Sequence, residues 1–241
     1  HNVAVGQGSL GAVTTSQFNT AIGSAALNAN TAANNSALGF AALGSNTTGS
    51  GLVSLGYNSL NANTTGNNST AVGASALAVA TTGDQNTAVG SQALLALTTA
   101  SNNTAVGMNA GLAITTGAQN VVMGVSALSH VTTQTRNVAV GYHALEECTA
   151  DDNTAVGTQA LQDNTTGYYN VALGYLAGGA ITTGHSNTAI GSFALDALTG
   201  GESSTAVGAE AGSAITTGHY NVAIGERAIR VATTASANVA V

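Results

Sequence analysis

The sequence predicts an all-β chain: a parallel β-solenoid of about fourteen coils with a seventeen-residue repeat, forming a single repetitive domain over 1–241. Three observations carry that expectation. A signature of the Asn-Thr-Ala-Val-Gly type recurs along the chain, ending on Gly6, Gly23, Gly39, Gly56, Gly73, Gly90, Gly107, Gly124, Gly141, Gly157, Gly174, Gly191, Gly208 and Gly225. Successive glycines lie 17 residues apart, shortened to 16 at the intervals ending on Gly39 and Gly157. The composition is that of a thin-cored protein: 31 glycines, no proline or tryptophan, 5% charged residues, and an apolar fraction dominated by Ala, Val and Leu.

Numbering each repeat from its Asn (position one) to the residue before the next Asn (position seventeen) gives each position a physical task. Positions one to five form the strand segment. It is rich in β-branched residues and bounded by glycine and by a Thr-Thr-Gly turn, whereas the i, i+3, i+4 apolar stripe of a helix is missing. Alternation places positions two and four on one side and position three on the other. Position four is always Val, Ile, Leu or Met, so the larger side chains, such as Val5, Val89 and Ile190, are expected to fill the coil. Position three is Ala except at Ser54 and Val122, and is expected to point outward, with Ala4, Ala88 and Ala189 against another copy of the chain.

Position five turns the chain at a positive φ or allows close backbone approach. Gly49, Gly66, Gly83, Gly117, Gly167, Gly184, Gly201 and Gly218 do the same at the Thr-Thr-Gly corner. Asn at position one suits a stacked amide ladder or an Asx-turn. Position thirteen is Thr in all fourteen complete copies, from Thr14 to Thr233. Coils stacked at strand spacing would build a rod roughly 65 to 70 Å long.

Charge excludes several functions. With a net charge of −7 and only Arg136, Arg227 and Arg230 as cations, the chain lacks the side chains that neutralise phosphates, so no nucleic acid is expected as a partner. No apolar run is long enough for a membrane helix, so no membrane insertion is expected of this segment. The single Cys148 cannot form an intrachain disulfide and reads as a packed small side chain.

The repeat resembles the head repeats of trimeric autotransporter adhesins of the YadA-like type, to which Asn221-Val222-Ala223-Ile224-Gly225 is a near match. It is also similar to repeats of bacteriophage fibre proteins. The resemblance implies a left-handed parallel β-roll, three chains to a bundle, displayed outside the cell on a bacterial or virion surface. The units of those adhesins are shorter and lack the extra Thr-Thr-Gly corner.

A uniform repeat offers no converging nucleophile, base and orienting group, so no enzyme, no catalytic residue and no cofactor are expected. Asp151 and Asp152 adjoin in sequence and would diverge in a strand, which disfavours a glycosidase pair. At position sixteen His185, Glu202 and His219 would stack on adjacent coils as a charge ladder, with a metal as the less favoured reading. Tyr168, Tyr169, Tyr175 and Tyr220 form the candidate contact with a partner, a host-surface glycan or protein receptor. The sequons at Asn46 and Asn63 follow from an Asn/Thr-rich repeat.

The expected function is therefore structural or adhesive: a fibre segment giving reach and rigidity, self-associated as a homotrimer or joined end to end as a filament. Because the chain starts and stops inside a repeat, a fragment of a longer fibre is expected. The alternative is an ice-binding solenoid with a threonine ladder. That reading is weakened because Thr at positions thirteen and fourteen point to opposite sides.

Overall fold

A computed structural model describes residues 1–231 and 233–241. Among them there is no helix, hence none long and apolar enough to cross a membrane. The chain divides into two compact units, His1–Gln119 and Asn120–Val241. The first carries β1 (Val3–Val5), β2 (Thr20–Ile22), β3 (Ser36–Leu38), β4 (Val53–Leu55), β5 (Thr70–Val72), β6 (Thr87–Val89) and β7 (Thr104–Val106). The second carries β8 (Val121–Met123), β9 (Val138–Val140), β10 (Thr154–Val156), β11 (Val171–Leu173), β12 (Thr188–Ile190), β13 (Thr205–Val207), β14 (Val222–Ile224) and β15 (Val239–Ala240). Within each unit every strand pairs in parallel with its sequence neighbour, like over like: Thr70, Ala71 and Val72 lie against Thr87, Ala88 and Val89. Each unit is thus a parallel β-solenoid whose strands cover only positions two to four.

The backbone ladder explains why so short a strand holds. The N–H of position two donates to the position-one carbonyl of the following coil (Thr70 to Asn86, 2.8 Å), and the N–H of position five to the position-four carbonyl of the preceding one (Gly73 to Leu55, 2.7 Å). Side chains extend the ladder beyond the strand. The buried Asn at position one closes its own coil by donating to the position-fifteen carbonyl, as Asn86 does to Ala100 at 2.8 Å. Its amide oxygen accepts the position-one N–H of the next coil, Asn103 to Asn86 at 3.0 Å. The Thr at position thirteen donates its hydroxyl to the corresponding carbonyl one coil on, as in Thr47 to Thr64 (2.8 Å) and Thr165 to Thr182 (3.0 Å). These bonds satisfy backbone groups at corners where no sheet exists.

The corners need unusual backbone. Position five has φ between +116° and +140°, and a Cβ on Gly73, Gly90, Gly141 or Gly191, for example, would run into the glycine backbone of the next coil. At the Thr-Thr-Gly corner the glycine φ is not positive. The second reason applies instead: a Cβ on Gly66 would lie 2.5 Å from the Gly83 carbonyl oxygen. Positions seven, nine and seventeen are also left-handed, and there the occupants are mostly not glycine, for example Asn109, Leu94 and Tyr169.

Leucine at position nine shows which effect wins. A left-handed leucine costs about 1–2 kcal/mol, while burying its side chain contributes about 1.5–3 kcal/mol, and Leu27, Leu77, Leu94 and Leu145 are wholly buried. Three coils take another route, with glycine at position nine (Gly111, Gly178, Gly212) and Ile at position twelve (Ile114, Ile181, Ile215). A Cβ on Gly111 would sit 2.9 Å from Ile114 Cδ1, so the isoleucine occupies the room the leucine gave up.

The two short coils keep strand register, pairing Thr20 with Ser36 and Val138 with Thr154. The lost residue comes from the Thr-Thr corner, where Ala32 and Ala150 still accept the amides of Asn19 and Asn137 at 2.9 Å.

Candidate functional site: the outward strand face

The structure reverses the expected sidedness of the strand. Position three faces the coil interior: Ala21, Ala71, Ala88, Ala105, Ala155 and Ala172 are 0% exposed. Positions two and four face out, with Leu38, Leu55, Met123, Leu173 and Ile224 all more than 40% exposed. An alanine column facing a partner chain is therefore excluded. The physical reason is room. The strand crosses the coil against positions eight and nine, where Ala26, Ala76, Leu27 and Leu77 are wholly buried, and alanine fills the room left at position three in every coil but those of Ser54 and Val122. Ser54, which replaces Ala there, is matched by Ser59 at position eight, and their hydroxyls hydrogen-bond inside the coil. A signal for this was present in the sequence. A close-packed interior favours one volume, and position three holds nearly constant Ala while position four varies among Val, Ile, Leu and Met, although interior position twelve varies as well.

The consequence is an outward apolar rank in each unit: Val5, Ile22, Leu38, Leu55, Val72, Val89 and Val106 in the first, and Met123, Val140, Val156, Leu173, Ile190, Val207 and Ile224 in the second. None of the fourteen is buried. Position two beside it alternates Thr, Val and Ser, and carries no charge. Where the short Ser36 stands between Thr20 and Val53, an open depression of about 260 Å³ forms, lined also by Ile22, Leu38 and Leu55. Across the glycine corner, position six adds exposed Phe40 and Tyr57, stacked at 5.6 Å, and exposed Met108, Tyr142 and Tyr175.

The four tyrosines of the candidate partner contact are all exposed, but they do not share one column. Tyr168 packs edge-on against Tyr169 (5.2 Å) and face to face with His185 (4.7 Å, 14° between planes). Tyr220 lies by His219, while Tyr175 packs on Phe193 at positions six and seven.

His185, Glu202 and His219 do stack, with His185 Nε2 3.3 Å from Glu202 Oε1 and the Glu202 N–H donating to His219 Nδ1 at 3.2 Å. The column has a backbone role too. The position-sixteen N–H is accepted by the next coil's side chain in Ser50 to Asn67 (3.0 Å), Asn67 to Asp84 (2.6 Å), Asp84 to Ser101 (2.9 Å) and His219 to Ser236 (3.0 Å). An acceptor at position sixteen is thus useful whatever its charge, which supplies a structural reason for this ladder.

Asp151 and Asp152 do not diverge as a strand would make them. Asp152 has φ 63°, and both carboxylates turn to Arg136, at 2.6 Å from Asp152 and 3.7 Å from Asp151. The hydrogen bond from Arg136 holds the Asp152 carboxyl below its ordinary range. Cys148 is buried at position twelve, where its thiol contacts the Ala150 carbonyl at 3.2 Å, and burial pushes its pKa up to about 11. Asn46 and Asn63 are wholly buried and joined amide to amide at 2.8 Å, which removes both sequons from the surface of the folded chain.

No protein-family model, curated protein or solved structure matches the chain.

Proposed function

We propose that this chain is a segment of a structural or adhesive surface fibre, and that it works as a homo-oligomer joined through the outward strand face. The observation that carries this reading is the uncharged apolar rank at position four. Soluble monomers rarely expose continuous apolar surface on this scale, and such surface marks association. The fold supplies regular repetition and the corners supply rigidity, while the candidate site offers no convergent acid, base and nucleophile for catalysis. The resemblance to adhesin heads and phage fibres supports a homotrimer on a cell or virion surface. The exposed tyrosines then serve a host glycan or receptor.

The mass in solution tests the oligomer. Sedimentation equilibrium is expected to give a multiple of the chain mass, and Leu38→Gln with Leu55→Gln to shift it toward the monomer while circular dichroism stays unchanged. A parent chain that remains monomeric at tens of micromolar would falsify the assembly.

A second reading, ice binding, moves to this same face. Thr70, Thr87 and Thr104 stack in register on consecutive coils at position two, beside Val72, Val89 and Val106, at a spacing of about 4.8 Å. The position-thirteen threonines are poorer candidates, since their hydroxyls are spent on carbonyls. The two readings compete for one surface. A monomer showing thermal hysteresis supports the second, and an oligomer without it supports the first.

A further inference from the structure

Three side chains with donor atoms gather on the coils that carry β8 and β9, away from the strand, and a fourth lies beside one of them. His130 and Glu147 both occupy position eleven, one coil apart, and His130 Nδ1 lies 2.8 Å from Glu147 Oε1. Glu146 projects beside them, so that one donor atom from each of His130, Glu146 and Glu147 falls within 4.8 Å of the other two. His143 joins from position seven, with its Nδ1 2.5 Å from Glu146 Oε2. Among the described residues the buried His143 Nδ1 has no hydrogen-bond partner. Glu146 is oriented from the other side: Gln162 donates to its Oε2 at 3.0 Å, and Gln159 donates to Gln162 at 2.8 Å.

The charge balance of this patch is incomplete. Two consecutive glutamates stand side by side, and Arg136, a cation in the same coil as His130, is committed to Asp152 through both Nε and Nη2, at 2.6 and 2.8 Å. Among the described residues no arginine pairs with either glutamate.

We infer that His130, Glu146 and Glu147, with His143 at their edge, form a binding site for a divalent transition-metal ion of the zinc class. The donor set decides the class. An imidazole with two carboxylates, and a second imidazole beside one of them, suits zinc, copper or nickel, whereas calcium takes six to eight oxygens and magnesium an octahedron of them. Zinc bonds of about 2.0–2.2 Å place tetrahedral donors roughly 3.3 Å apart. His130 and Glu147 are half-exposed on their side chains, so both are open to an ion from solvent. Gln162 is the outer partner that fixes one ligating carboxylate. The inference stands apart from the fibre reading, since none of these residues lies on positions two or four.

Calorimetric titration of the full chain with zinc chloride in mildly alkaline buffer tests it. One zinc per chain is expected, with His130→Ala and Glu147→Gln each weakening affinity tenfold or more, and with His185→Ala and His219→Ala without effect. With copper(II) as the probe, electron paramagnetic resonance should show imidazole nitrogen couplings that His130→Ala together with His143→Asn removes. Circular dichroism of each variant confirms that the coil survives. If the chain takes up no zinc below about 1 mM, or if His130→Ala binds as well as the parent, these residues form ion pairs only and the site is refuted.

Discussion

The two units share one frame and differ in what they display. His1–Gln119 contains a single charged side chain among Asp, Glu, Lys and Arg, namely Asp84, and Asn120–Val241 contains all the others. In the first unit, contacts between coils outside the strands run amide to amide and hydroxyl to carbonyl, as from Asn46 to Asn30 and from Thr64 to Thr81. In the second, the same one-coil offset carries ion pairs: His130 with Glu147, His185 with Glu202, and Arg227 with Glu210. Strand length, register and the buried alanine column are nevertheless alike in both. Inward positions and backbone corners therefore specify the coil, and outward positions are free to carry chemistry.

The sharpest way to break this comparison is at a position-five glycine in each unit. In Gly73→Ala and Gly174→Ala the new Cβ meets φ of +133° and +137°, and would lie 2.6 and 2.7 Å from the carbonyl carbons of Gly90 and Gly191. Each change should cost about 3 kcal/mol in urea unfolding, since backbone strain alone accounts for 1–3 kcal/mol. Similar losses in the two units are expected, and a large loss in one alone would show that the frame is not shared.

A smaller effect separates the units by pH. Position twelve is interior, and in the second unit it holds the thiol of Cys148, whose pKa is raised by burial from 9.0 to about 11. The unfolded chain loses this proton first. Stability is therefore full below pH 9 and falls as pH climbs toward 11, by about 2–3 kcal/mol at most. Cys148→Val, which places at this position the residue found at Val131, should remove that fall relative to the parent, as followed by urea midpoints across this pH range. An unchanged alkaline loss would mean that other groups cause it.

The smallest effect is electrostatic. Arg227 grips Glu210 through two bonds of 2.8 and 3.1 Å, but both side chains are exposed. Arg227→Ala should lower the melting temperature slightly at low salt and not at all at high salt, because surface pairs are weak and screened. A salt-independent loss would mean that the stem of Arg227 packs rather than pairs.

Period, strand position, parallel stacking and the glycine corners were legible in the sequence, because repetition places like residues over like and each corner needs a residue without Cβ. Other features were not. The left-handed leucines at position nine look like ordinary strand-forming positions, since burial outweighs a strain that no local pattern reveals. The cluster around His130 was readable only as two residues seventeen apart, and Glu146 and His143 join it through the turn between positions seven and eleven.

The sequence by itself determined that positions two and four face opposite to position three, since alternation is a property of the extended backbone. Only the tertiary structure decided which side is inside. Alternation fixes parity and not sign, and the sign depends on the space left beside the buried leucine, which alanine fills in all but two coils while the Val, Ile, Leu and Met side chains of position four turn outward.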